Sequence, residues 1–186
     1  NVDSLLFTAP EKRYFMDNLH VTATRQDGTN RLSLTSEFLT ANIEGRFLYH
    51  TLPVSMLNIM RRYVPSLILP GKKTIETDNN FSFDIHIYNT DFLSTIFNIP
   101  LTVYTHSTVK GYVNDRMQRV QAEGYFPRLQ YKQNYIESGL LLCENVTDQL
   151  KAKIRFTNLK KNGAVNISLD VQAKDDQLNT RINWGN

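Results

Sequence analysis

Cysteine is almost missing: Cys143 stands alone among 186 residues. No intramolecular disulfide can form, so the chain is not a disulfide-stapled mini-domain. Long apolar runs are missing too. No stretch reaches the roughly 20 residues a membrane-spanning helix needs, and no signal peptide is visible. Strong charge of one sign is missing: 21 basic residues stand against 18 acidic ones, a net of +3, spread evenly. That balance argues against nucleic acid as a partner. Motifs that carry chemistry are missing as well. There is no HExxH, CxxC, P-loop or GxSxG, and His20, His50, His86 and His106 each lack a second histidine or cysteine at ligand spacing. Asp175-Asp176 sits in turn-like "KDDQ" rather than in an acid pair on one strand face. No catalytic residue, metal ligand or cofactor is expected, and the chain reads as a non-enzyme.

Alternation dominates what is present. "FSFDIHIYN" puts Phe81, Phe83, Ile85 and Ile87 on one side of a strand and Ser82, Asp84 and His86 on the other. Val165, Ile167, Leu169 and Val171 repeat the pattern, and Ile154 with Phe156 does so more briefly. "LHVTATRQDGTNRLSLTSEF" reads as a hairpin around Asp27-Gly28. "ANIEGRFLY", "LTVYTHSTVKGYVND", "RVQAEGYFPRLQY", "YIESGLLLCEN", "LKAKIRFTNL", "AVNISLDVQA" and "LNTRINW" read as further strands. In "GLLLCEN", Leu140 and Leu142 face one way and Leu141 and Cys143 the other, so this strand is expected to be buried on both faces. Phe81, Phe83, Ile85, Ile87, Leu140, Leu142, Ile154, Phe156, Val165, Ile167, Leu169 and Val171 are the residues expected to line an apolar groove.

One stretch changes period. "TLPVSMLNIMRRYVPSL" carries Leu57, Met60 and Val64 at helical spacing, beside Leu52, Met56, Ile59 and Tyr63, with Pro53 suited to a first turn and Pro65 to a stop. A helical insertion is expected over about 52–65. Arg61-Arg62 gives it only a thin basic face, so it reads as a plug at one end of the sheet rather than a membrane-surface helix. "NTDFLSTIFNIP" reads as a short helix or turn. "RYFMDNLHV" and "NYIESGLLL" share a shape, Tyr14 matching Tyr135, Leu19 matching Leu140 and Val21 matching Leu142, which favours a stacked, elongated sheet over a closed barrel. The chain begins at Asn1 rather than Met and reads as an internal piece of a longer protein, residues 1–186 forming one segment of a larger repeating unit.

Three phrases carry a family resemblance. "FPRLQYKQNYIESGLLL" has an apolar–Pro–x–Leu–x–Tyr form, a short linker, then an apolar strand. "DDQLNTRINWGN" sets Trp184 and Asn186 after an alternating Leu178–Thr180–Ile182 run. "EGRFLYHTLPVSMLNIMRRYVPSL" is strand then helix with an Arg-Tyr-x-Pro end. Together they resemble the TamB family of the AsmA-like superfamily, in its Bacteroidota form, through most of residues 14–186. The resemblance implies a long twisted antiparallel sheet curled into a half-open hydrophobic trough, a β-taco-like shape, with one amphipathic helix. It implies the periplasmic part of an inner-membrane-anchored protein, whose anchor lies outside this sequence. It further implies phospholipid transport between inner and outer membranes, outer-membrane biogenesis, and a TamA-like (Omp85-type) outer-membrane barrel as candidate partner. The family has no catalytic residue to carry over.

Two other readings stand beside that one. The first is an envelope-assembly scaffold or chaperone that pairs its sheet edge with outer-membrane protein strands. The second is a non-catalytic β-sandwich binding module. A sheet with cut edges is also expected to self-associate through strands near its termini, Leu178 to Trp184 among them.

Overall fold

A computed structural model of the chain describes residues 2–9, 12–67, 75–90, 101–160 and 163–185. The expected short helix of "NTDFLSTIFNIP" falls mostly on residues 91–100, outside the described residues. The chain opens with β1 (Val2–Ala9), β2 (Lys12–Gln26), β3 (Thr29–Thr35) and β4 (Leu39–Arg46). Then come α1 (Leu52–Tyr63), flanked by single 3-10 turns at Tyr49–Thr51 and Pro65–Leu67, and β5 (Asn80–Ile87). The remaining strands are β6 (Leu101–Val103), β7 (Ser107–Asn114), β8 (Arg119–Tyr131), β9 (Asn134–Val146), β10 (Gln149–Lys160), β11 (Gly163–Lys174) and β12 (Gln177–Gly185).

All twelve strands join one open antiparallel sheet, ordered β1-β2-β3-β4-β5-β7-β8-β9-β10-β11-β12. β6 pairs with the far half of β8 beyond the end of β7, so β6 and β7 share one lane interrupted at residues 104–106. The expected single strand "LTVYTHSTVKGYVND" is therefore two. β1, which the sequence did not announce, pairs with the first half of β2. The meander is a direct result of turn chemistry. Asp27 (φ 50°) and Gly28 (φ 78°) take the left-handed conformations of a tight two-residue hairpin, and Asp175 (φ 50°) and Asp176 (φ 60°) do the same between β11 and β12.

β8 and β9 bend together. Pro127 cannot donate to the ladder, and its neighbours pair as Phe126 with Gly139 and Arg128 with Glu137. Ser138, directly opposite, has φ 53°, and the β9–β10 register slips by one residue between Arg155 and Thr157. An extra residue of this kind bends the strand that carries it.

α1 lies across the strand ends. Ser55 Oγ donates to Asp115 Oδ2 in the β7–β8 turn at 2.8 Å, and eight residues later the Tyr63 carbonyl accepts from Asp176 N–H in the β11–β12 turn at 3.0 Å. Along the helix that is about 12 Å. Along the sheet, four strand spacings measure about 19 Å. The helix is thus a chord across strand ends that curl toward it.

The helix is fixed by apolar and polar contacts alike. Phe47, Ile59, Tyr63, Val64, Phe81, Val113, Val120 and Ala173 form one buried cluster. The expected stripe of Leu57, Met60 and Val64 is corrected in two of three positions: Leu57 (39% exposed) and Met60 (42%) face away, while Ser55, Ile59 and Tyr63 meet the sheet. The segment is apolar on several sides, and the polar network chooses among them. Asn79 Nδ2 donates to Thr51 Oγ1 (2.9 Å) and Ser55 Oγ (2.6 Å), its Oδ1 accepts from Leu48 N–H (3.0 Å), and its own N–H donates to Asp115 Oδ2 (2.8 Å). Burial without these partners would cost each group of the order of 1–3 kcal/mol.

Candidate functional site: an apolar face half covered

Cross-strand partners lie on the same side of a sheet, so register shows which side chains share a face. Ile85 pairs with Ala41 and Val109. From Val109 the line continues through Gly124, Leu141, Ile154 and Leu169 to Ile182. From Ala41 it continues through Leu34 to Val21. A parallel line runs Ala23, Leu32, Ile43, Phe83, Gly111, Ala122, Cys143, Ala152 and Val171. The first row, from β2 to β12, is about 43 Å long at ordinary strand spacing, and the second stops one strand short at β11.

Ten of the twelve expected groove residues share this face: Phe81, Phe83, Ile85, Ile87, Ile154, Phe156, Val165, Ile167, Leu169 and Val171. Leu140 and Leu142 do not. They pair with Tyr125 and Arg155, and with Glu123 and Lys153, on the opposite face, where they are 44% and 51% exposed. The expectation that this strand is buried on both faces is corrected with them. "GLLLCEN" is apolar in both phases, so alternation alone cannot choose, and Leu141 and Cys143 occupy the groove positions instead. The suggested repeat fails for the same reason: Val21 lies on the groove face and its supposed counterpart Leu142 on the other.

Burial falls off in the rows next to α1 and returns at the far end of β5–β8, where Ser107 is 0% and Val103 4% exposed. In the row beneath the helix, Phe81 is 6% exposed and Val113 0%. One row on, Phe83 is half-buried and packs against the cluster, and two rows on, Ile85, Val109, Leu141, Ile154 and Leu169 are half-buried as well. At the β12 edge Ile182 (54%) and Trp184 (75%) are open.

Two glycines keep this face smooth, which the sequence did not signal. A Cβ on Gly111 would collide with the Gln121 carbonyl and sit 2.7 Å from the Phe83 ring, and one on Gly124 would sit 2.8 Å from the Phe126 ring. The rings therefore lie down over bare backbone rather than standing up into the groove. Asn158, which pairs with Ile136 and Val165, is the polar interruption: its buried Oδ1 has no hydrogen-bond partner.

The opposite face is wet. Arg31–Glu44 (2.9 Å), Lys110–Glu123 (3.5 Å) and Lys153–Asp170 (3.3 Å) bridge neighbouring strands there. The hydrogen bond to Glu44 holds the exposed Arg31 guanidinium above its ordinary pKa. On the groove side, burial first, and then the Glu144 carboxylate, push the Cys143 thiol up, which keeps it protonated and unreactive. Among the described residues no group of three or more His, Cys, Asp or Glu is arranged for a metal ion, and no helix is long and apolar enough to cross a membrane. Compared with known protein families, with curated proteins and with solved structures, the chain matches none.

Proposed function

We propose that this chain is a segment of a TamB/AsmA-like envelope protein, and that its apolar face holds phospholipid acyl chains on their way between inner and outer membranes. The observation that carries the reading is the pair of apolar rows, one crossing ten strands and the other nine, that are only half-buried along their middle. An apolar face of that size that no described element covers fits a binding surface. An acyl chain can replace the missing second layer. Burial is worth roughly 0.8 kcal/mol per methylene, on the order of 10 kcal/mol for one chain before ordering costs. Flat rings over Gly111 and Gly124 leave room for a chain to slide along the rows. The wells along a row are alike, which suits passage better than one deep site.

A second reading rests on a different observation. Every residue of β12 is exposed, and the strand pairs only with β11 among the described residues. Such an edge can accept a client strand in outer-membrane protein assembly.

Native mass spectrometry after mild extraction tests the first reading. Bound phospholipid is expected on the parent chain and absent from Ile85→Arg and Ile167→Arg, both soluble and folded. Variants that fold and keep their lipid would overturn it.

A further inference from the structure

The strand ends away from α1 differ in kind from the ends beneath it. Five of the exposed aromatic side chains collect there: Tyr88 (40%), Tyr104 (45%), Tyr131 (45%), Tyr135 (39%) and Trp184 (75%). Each follows from the topology. Tyr88 comes just after β5, Tyr104 breaks the β6–β7 lane, Tyr131 ends β8, Tyr135 begins β9, and Trp184 is next to the last residue of β12. They are set in place by neighbours. The Tyr104 hydroxyl donates to Gln130 Oε1 at 2.7 Å, and the Tyr88 ring lies 5.2 Å from the His106 ring.

Cations are interleaved with these rings. The Arg128 guanidinium lies 5.1 Å from the centre of the Tyr135 ring, and Lys132 Nζ lies 5.5 Å from that of Tyr131. Neither forms an ion pair among the described residues, although Glu137 is the cross-strand neighbour of Arg128, whereas Arg62, Arg116 and Arg46 at the helix end are paired with Asp148 and Asp78. Aspartate marks the turns at the helix end, at Asp115, Asp148, Asp175 and Asp176. The described turns at the other end of β5–β12 carry none.

Tyrosine and tryptophan have an apolar body and a polar tip, and they settle where water meets hydrocarbon. Unpaired Arg and Lys beside them meet anionic headgroups. We infer that this rim is a docking surface for a lipid bilayer that carries anionic phospholipid. The chain would stand on the membrane by its aromatic, basic rim, with α1 directed away from it. This surface is separate from the groove rows, and it is independent of whether those rows hold acyl chains.

Trp184 is the only tryptophan, so its fluorescence reports on the rim directly. Because it also lies on the groove face, its emission is read together with co-sedimentation on intact vesicles of phosphatidylethanolamine and phosphatidylglycerol. The chain is expected to sediment with the vesicles, Trp184 to shift to the blue, and lipids brominated on the upper acyl chain to quench it. Arg128→Gln combined with Lys132→Gln is expected to weaken partitioning by about tenfold or more. Tyr131→Ser with Tyr135→Ser should weaken it similarly, since these exposed side chains can be lost without unfolding. A chain that stays in the supernatant would overturn the inference, as would rim variants that partition like the parent. So would an equal loss from Arg61→Gln with Arg62→Gln on α1. Phospholipid retained by the chain after the vesicles are removed reads the groove alone. Loss of docking with lipid retained therefore counts against the rim and not against the groove.

Discussion

The row under α1 and the next row along the same strands are written in the same residues and behave differently. Phe81 and Val113 lie in the first, Phe83 and Val171 in the second. Alternation gives both the same inward phase. Among the described residues, the lid built from Phe47, Ile59, Tyr63 and Val64 buries the first. Apolar side chains on a sheet thus become core or surface according to what a distant segment does, and one helix is long enough to convert one row. The rows through Phe83 and Ile85 are left half-buried.

A matched pair of substitutions separates the covered row from those beyond it most sharply. Val113→Arg places a charge at a site with 0% exposure. An unpaired charge buried there costs several kcal/mol, enough to unfold a domain of ordinary stability. Ile85→Arg, two rows on, lets the long side chain reach water over the half-buried face, and the loss is expected to be about 1 kcal/mol. Denaturant midpoints of the two variants check this. Equal losses would mean that the Ile85 row is sealed as well.

Gly111→Ala comes next in size. Its Cβ would press on the Gln121 carbonyl across the strand pair and lift the Phe83 ring. Strain of this kind costs typically 1–3 kcal/mol. A thermal melt should show the loss. Bound lipid should fall further than stability does, because the lifted ring stands where an acyl chain would lie.

Much of this was legible because strands declare themselves by alternation. The β5 and β11 faces, the Asp27-Gly28 hairpin and the start of α1 at Leu52 were all readable from spacing. Leu140 and Leu142 were misplaced because a strand apolar in both phases carries no phase information. The buried side of α1 was misread because Leu57 and Met60 are as apolar as Ile59, and the choice was made by Asn79 and Asp115, which in sequence look like ordinary loop residues. The rings lying over Gly111 and Gly124 depend on register across two hairpins, which no local window contains.

The lid itself has a pH-dependent clasp. Asp176 Oδ1 accepts from Ser66 N–H at 3.0 Å, and this backbone hydrogen bond lowers the Asp176 pKa from 3.8. A carboxylate whose folded pKa is depressed stabilises the fold above its unfolded pKa, and the contribution is lost as pH falls through the folded value. Asp176→Asn keeps a residue tolerant of the left-handed turn. It is expected to lower the melting temperature slightly at neutral pH and to flatten its fall below about pH 4, so that the two proteins converge in acid. An unaltered acid limb would mean that Ser66 does not hold the end of α1 in solution.

The smallest effect on stability is expected at β12, where the apolar face runs out into solvent. Natural edge strands are guarded by Lys, Pro, bulges or inward-pointing charges. β12, "QLNTRINWG", has none of these guards: its groove side reads Leu178, Thr180, Ile182 and Trp184, and its one charge, Arg181, lies on the other face opposite Asp170. Two copies can pair β12 to β12 antiparallel with the groove sides matched. A two-fold axis at Thr180 sets Leu178 against Ile182 and Asn179 against Arg181, with no like charges opposed. Ile182→Lys alters a side chain that is 54% exposed, so folding stability should move by no more than about 0.5 kcal/mol. It would nevertheless bring an inward-pointing lysine to the pairing edge of each copy. Light scattering across a range of concentrations should find the parent chain associating and the variant monomeric. A monomeric parent would leave the β12 edge without a self-complementary role, and equal association of both would move the contact to another surface.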